Sequence, residues 1–207
     1  MISTNPDLIE RCFKFHNQGF GTVRSAAEDG VTGANFRMTE FQAALLRVQI
    51  PRLDEQSRKR SENAAYLSGL MDEIPGVSAA RMYPGSTRNA YHLFMWRYDK
   101  SQFAGMNKGQ FLKALSAEGI PVSGGYRRLN EDPLLKNTFA TRGSHRIFPA
   151  KLLKQWEERN VLPNNNRVCE EACWFTQNML LADRSAMDQI ADAIRKVQRH
   201  AGEFAQT

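Results

Sequence analysis

"GANFRMTEFQAALLRVQIPRLDE", residues 33–55, starts loose and turns into a strong helix. A glycine, an amide, an aromatic residue and an arginine come before any apolar periodicity. Phe41, Leu45 and Val48 then mark a stripe at helical spacing. The helix is expected to run from about Met38 to Ile74, with Pro51 kinking or interrupting it. Leu53, Tyr66, Leu67, Leu70 and Met71 carry its second part, and Pro75-Gly76 stops it. Asn35 and Arg37 are two hydrogen-bonding side chains on the lip of this helix, and they need something to hold.

Upstream, "TNPDLIERCFKFHNQG" is punctuated as a helix. Asn5 suits the cap, Pro6 the first helical position and Gly19 the end. Leu8, Ile9, Cys12, Phe13 and His16 share one face. Residues 19–35 are glycine-rich and weakly periodic, so a loop is expected; "GFGTVRSAAEDGVTG" carries neither a dinucleotide fingerprint nor a P-loop. Downstream the texture changes. "VSAARMY", "AYHLFMWRY" and "IPVSGGY" read as strands, the last broken by Gly124-Gly125. "NKGQFLKALSAEG" reads as a short amphipathic helix. Residues 127–165 read as irregular, with one helical piece around "AKLLKQWEE". "NRVCEEACWFT" reads as a helix and "NMLLA" as a strand. A last helix is opened by Ser185, with Asp188 three residues on. The class is α/β (α+β): from about residue 77, a few mostly antiparallel strands covered by helices on one face.

Composition bounds the rest. The 207 residues, 42% hydrophobic and 24% charged, are ordinary for a globular chain. No apolar run is long enough to span a membrane. No basic stretch followed by an apolar one opens the chain, so no signal peptide is read. Three cysteines fit reduced thiols, and the expected location is cytoplasmic. The formal charge of +6 is spread and mixed with acids; Arg58-Lys59-Arg60 reads as a solvated helix face, so no nucleic-acid partner is expected. Cys169 and Cys173 have helical spacing, but a zinc site needs about four ligands and no histidine lies near them, so they read as plain buried cysteines and no metal is expected. His16, His92, His145 and His200 are scattered. His92, between Tyr91 and Leu93 on a strand, reads most simply as structural or half-buried.

Gly33, Asn35, Phe36, Arg37, Met38, Thr39, Glu40, Gln42, Ala43 and Ala44 together resemble a segment of the DegT/DnrJ/StrS family, pyridoxal-phosphate-dependent aminotransferases acting on keto-sugars and cyclitols. "ISTNPDLIERCFKFHNQG" and "MDQIADAIRKV" resemble the flanking parts of the same family, so the likeness spans nearly the whole chain. It implies the C-terminal small domain of a fold-type I aminotransferase (residues 77–207), preceded by a remnant of the large cofactor-binding domain and a long connecting helix (residues 1–76). It implies a homodimer in which Asn35 reaches the cofactor phosphate bound by the neighbouring subunit. A phosphate ester takes several donors, and an amide supplies one without adding charge. Arg37 could add a fork donor, or hold the loop by pairing with a carboxylate. Glu40 and Gln42 are helix-start and packing residues.

The family's cofactor-bearing lysine and the carboxylate facing the pyridinium lie upstream of the position that Met1 matches. The chain therefore reads as the C-terminal part of a longer enzyme, with no catalytic residue of its own and no activity alone. The complete enzyme would move an amino group from Glu or Gln to a keto-sugar or keto-cyclitol, in polysaccharide or secondary-metabolite biosynthesis. Tyr126 and His92 are the candidate substrate residues. "GIPVSGGY" keeps Tyr126 but has Gly125 where many sugar-nucleotide members carry a histidine, a form closer to the branch acting on inososes or amino-benzoate precursors. A non-catalytic dimerisation or regulatory module is the alternative, with an unrelated basic binding domain behind it.

Overall fold

The computed structural model describes residues 3–21 and 32–204. Most of the glycine-rich stretch read as a loop lies outside the described residues. The chain divides into two compact units, Met1–Asp54 and Glu55–Thr207, with the division falling inside one helix.

In the first unit, α1 spans Pro6–His16. Asn5 caps it as its spacing predicts, accepting from the backbone of Asp7 and Leu8, with Pro6 in the first turn. α2 spans Glu40–Asp72 and crosses into the second unit. Thr39 and Gln42 exchange side-chain and backbone hydrogen bonds at its start, a capping box. Pro51 does not interrupt α2. A proline removes one donor, and at an exposed position the orphaned carbonyl can turn to water.

The second unit is built on an antiparallel sheet of order β1-β2-β3: Val77–Ala79, Leu93–Tyr98 and Ala172–Thr176. Strand alternation puts Phe94, Trp96 and Tyr98 of β2, with Cys173 and Phe175 of β3, into the core. Their rings meet Phe111 of α3 (Lys108–Ala117) and Phe103 before it. The final long helix α8 (Arg184–Arg199) lays Met187, Ile190, Ala191, Ile194 and Val197 onto the same core, the amphipathic stripe of a surface helix. The last turns of α2 add Ala64, Leu67 and Met71. The Tyr98 hydroxyl donates to the Met106 carbonyl at 2.8 Å, and burial pushes its ionisation well above the ordinary tyrosine range.

Several elements differ from their sequence reading. Residues 127–165 hold three helices, α4 (Pro133–Phe139), α5 (Arg142–Ile147) and α6 (Ala150–Arg159). Asp132 and Thr141 cap the first two, and both were hidden by the polar composition. α7 (Pro163–Glu171) ends where β3 starts, so "NRVCEEACWFT" is half helix and half strand. "NMLLA" is a 3₁₀ turn, and "IPVSGGY" keeps one bridge, Ser123 to Trp174. α8 begins at Arg184 after Asp183, not at Ser185; α9 (Ala201–Phe204) closes the described chain. Arg60 is not on a solvated face: it is 7% exposed, donating to Gln177 at 2.8 Å.

One lysine ties distant segments of this unit together. Lys108 Nζ, at the start of α3, donates to the carbonyls of Gly124 (2.5 Å), Cys169 (2.6 Å) and Ala172 (3.3 Å). Two of these carbonyls sit at the C-terminal end of α7, where a cation is favoured.

Candidate functional site

The first unit builds a compact turn around Asn35. After α1, Gln18 and Gly19 adopt left-handed backbone (φ 60° and 87°) and reverse the chain, with the Gly19 N–H donating to the Lys14 carbonyl at 2.7 Å. The returning segment pairs with the helix end. Ala34 donates to Phe15 (2.9 Å), Gln18 to Ala34 (3.1 Å) and Phe36 to His16 (2.9 Å), and the Phe15 and Phe36 rings stack at 5.5 Å. Gly33 lets the two backbones approach. A Cβ there would lie 2.6 Å from the Phe15 carbonyl oxygen and from the Gly19 nitrogen.

This turn fixes the Asn35 side chain. Its carboxamide oxygen accepts from Arg37 Nε at 3.0 Å, and Arg37 Nη1 donates to the Asn17 oxygen at 3.2 Å. Arg37 therefore holds the loop, but through two amides and not through a carboxylate. Among the described residues no carboxylate pairs with it. With the oxygen engaged, the Asn35 NH₂ group is presented outward with no partner among the described residues. An exposed amide donor beside an uncompensated guanidinium fits a phosphate ester. Asn17 was missed in the sequence. Its signal was its place at the end of α1, facing the motif across a helix-closing Gln-Gly. Beside this turn an open hollow of about 690 Å³ is lined by Phe36, Arg37, Met38, Gln42, Leu45 and Leu46.

The two candidate substrate residues lie in the second unit. His92 precedes β2 and is exposed, correcting its reading as a half-buried strand residue; Tyr91 before it has φ 49° and takes its side chain toward Phe94 instead. Tyr126 is 74% exposed and stands edge-on to the half-buried Trp174, ring centroids 5.0 Å apart at 62°. Trp174 was not singled out in the sequence, because "ACWFT" read as helix.

The cysteine pair is not a unit. Cys169 is half-buried on α7, and Cys173 is wholly buried on β3, where burial pushes its thiol up to about 12. Among the described residues, no three His, Cys, Asp or Glu side chains gather as metal ligands, and no helix is long and apolar enough to cross a membrane.

Solved structures share this architecture. 3-Amino-5-hydroxybenzoic acid synthase superposes with a TM-score of 0.69 at 24% identity, over 94% of this chain and 48% of that one. An aminotransferase from Psychrobacter cryohalolentis gives 0.64 at 20%, over 94% and 50%. The fold is that of the C-terminal part of a fold-type I pyridoxal-phosphate aminotransferase. The sequence narrows the class: residues 1–195 match the DegT/DnrJ/EryC1/StrS aminotransferase family, and the chain belongs to it. The family's cofactor is pyridoxal 5′-phosphate. Among its relatives, the L-glutamine:2-deoxy-scyllo-inosose aminotransferase of Streptoalloteichus tenebrarius is 32% identical over 201 residues, 94% of this chain and 45% of that protein. The L-glutamine:scyllo-inosose aminotransferase of Streptomyces griseus is 32% identical over 186 residues, 86% and 42%. The chain thus spans about half the length of the curated relatives it matches.

Proposed function

We propose that this chain is the C-terminal part of a pyridoxal-phosphate aminotransferase that moves an amino group from L-glutamine to a keto-cyclitol of the inosose type. In this reading residues 77–207 are the small domain, residues 1–76 belong with the large domain, and the enzyme is a homodimer. Its cofactor lysine is supplied from outside these 207 residues. What carries the reading is that the relatives matching nearly the whole chain are named for this one reaction class, glutamine to inosose.

The cofactor supplies the carbonyl chemistry that carries the amino group between donor and acceptor. The residues of this chain do the holding. Arg37 pins the Asn35 oxygen, so only the two N–H bonds of the amide face outward. An anion arriving there meets donors and never the carbonyl. Arg37 adds its charge without leaving the amides that position it.

The test of the reaction is the complete enzyme with L-glutamine and scyllo-inosose. An aminocyclitol product is expected by mass spectrometry. Turnover of a nucleotide-linked keto-sugar with none of the inosose would overturn the cyclitol assignment. The role of Asn35 is tested by cofactor affinity. Asn35→Ala removes a charge-assisted hydrogen bond, and cofactor should bind roughly tenfold to a hundredfold more weakly. The contact is made in trans, so a heterodimer of one Asn35→Ala subunit and one subunit lacking the cofactor lysine should bind normally at its single lysine-bearing site. Weak binding in that heterodimer would place Asn35 in cis, and near-native affinity in the Asn35→Ala homodimer would remove its phosphate role.

A further inference from the structure

α3 and α8 both pack on the core, and short side chains leave a hollow of about 550 Å³ between their outer faces. Gln110, Lys113, Ala114 and Ala117 share one face of α3, at helical spacing. Val197 of α8 and Phe204 of α9 line the same space. Alanine at 114 and 117 leaves room that a larger side chain would take. Gln110 fixes the arrangement from both of its ends. Its oxygen accepts from the Asn107 backbone at 3.2 Å in the capping box of α3, and its Nε2 donates to the Phe204 carbonyl at 3.2 Å. The start of α3 thereby holds α9 beside the hollow. None of the lining residues belongs to the sheet or to the turn around Asn35.

The charges on the rim are unevenly matched. Both carboxylates are occupied: Glu118 accepts from Lys196 Nζ at 2.7 Å, and Glu203 meets His200 Nδ1 at 2.9 Å. Lys113 has no hydrogen-bond or ion-pair partner among the described residues. An apolar floor beside one uncommitted ammonium group is the complement of an amphiphilic anion. The floor of Ala114, Ala117, Val197 and Phe204 takes an aromatic or branched alkyl body. The flexible stem of Lys113 lets its ammonium reach the anionic head. A single lysine supplies enough donors for a carboxylate, whereas a phosphate would call for several.

We propose that the hollow between α3 and α8 binds a small monocarboxylate with an aromatic or branched alkyl body, its carboxylate paired with Lys113. A ligand seated there touches both helices and the closing turn α9, so it stabilises the folded state by mass action.

The test uses the full chain carrying Leu45→Glu, which interrupts the exposed apolar side chains of α2 as a competing surface. The fluorine line of para-fluorophenylbutyrate is followed during titration, and saturable binding in the millimolar range or tighter is expected. Lys113→Gln should weaken that binding roughly three- to tenfold. Ala117→Trp, at an exposed position of α3, should abolish it by filling the hollow. The neutral amide of the same acid should bind the unsubstituted hollow as weakly as the acid binds Lys113→Gln, and should not respond to that substitution. The lysine and amide comparisons decide the question even if the tryptophan disturbs α3. An absence of saturable binding up to about 10 mM, indifference to Lys113→Gln, or equal affinity for acid and amide would each overturn the proposal. So would an affinity for the acid that falls as protein concentration rises, which would make a second copy of this chain the occupant.

Discussion

Cys173 is surrounded by the aromatic rings of the sheet's core, and its thiol ionises only at about 12 against an ordinary 9.0. Unfolding returns the thiol to water, where it ionises earlier, so the folded state binds the proton more tightly. Stability from this group is whole below about pH 9 and declines as pH rises toward about 12. Alkaline urea titrations should show that decline, and Cys173→Ala should flatten it; labelling near pH 8 in the native state should leave Cys173 unmodified. Glu171 titrates the opposite way. Burial opposes its charge, but hydrogen bonds from Arg167 and Arg97 hold its carboxyl below the ordinary range. Gly33 is as constrained as any core residue although it sits in a loop, and Gly33→Ala should cost about 1–3 kcal/mol through backbone overlap. A reduced urea midpoint would show it, and an unchanged midpoint would mean the turn relaxes freely. Residue roles were legible where a side chain answers its neighbours in sequence, as at Asn5, which caps α1 just ahead of Pro6. They were illegible where the partner is remote. Arg60 looked like one member of a basic run, and only its position beneath Gln177, over a hundred residues away, buries it.

Among the elements, α2 carries the most instructive departure. Its 33 residues accept a proline in the middle. A helix-interior proline costs about 3 kcal/mol against alanine. Pro51→Ala should therefore raise stability by roughly 1–3 kcal/mol, read as a higher thermal midpoint and increased helical circular dichroism. No gain would mean that the geometry at Pro51 is itself required. The other long helices were legible because their apolar positions repeat over many turns, as in α8. The junction at Ala172 was not. Val168, Cys169, Ala172 and Cys173 satisfy helical spacing up to the switch, and the strand alternation after it, Cys173 in, Trp174 out, Phe175 in, is too short to outweigh them. That error hid Trp174. α4 and α5 were lost for a related reason. At seven and six residues they are too short to show a period.

At the scale of the whole molecule, exposed apolar side chains recur along the first half of α2. Phe41 is 86% exposed, Leu45 68%, Val48 54% and Leu53 53%. Monomers rarely tolerate such a contiguous stripe. The chain should self-associate, seen as a concentration-dependent sedimentation coefficient, and Leu45→Glu should return it toward the monomer; a clean monomer at high concentration would refute this. In residues 33–55 the periodicity announced the long helix α2, and the lip carried the family likeness. A last consequence belongs to Lys108, whose single ammonium group serves carbonyls 16, 61 and 64 residues further along the chain. Arginine, with its flat fork, cannot converge on three oxygens in that way. In a diverging lineage this makes the lysine a shared hinge of inheritance. The glycine turn that aims Tyr126, the end of α7 and the start of β3 cannot drift separately, since whatever unsettles one loosens the ammonium group's hold on the other two.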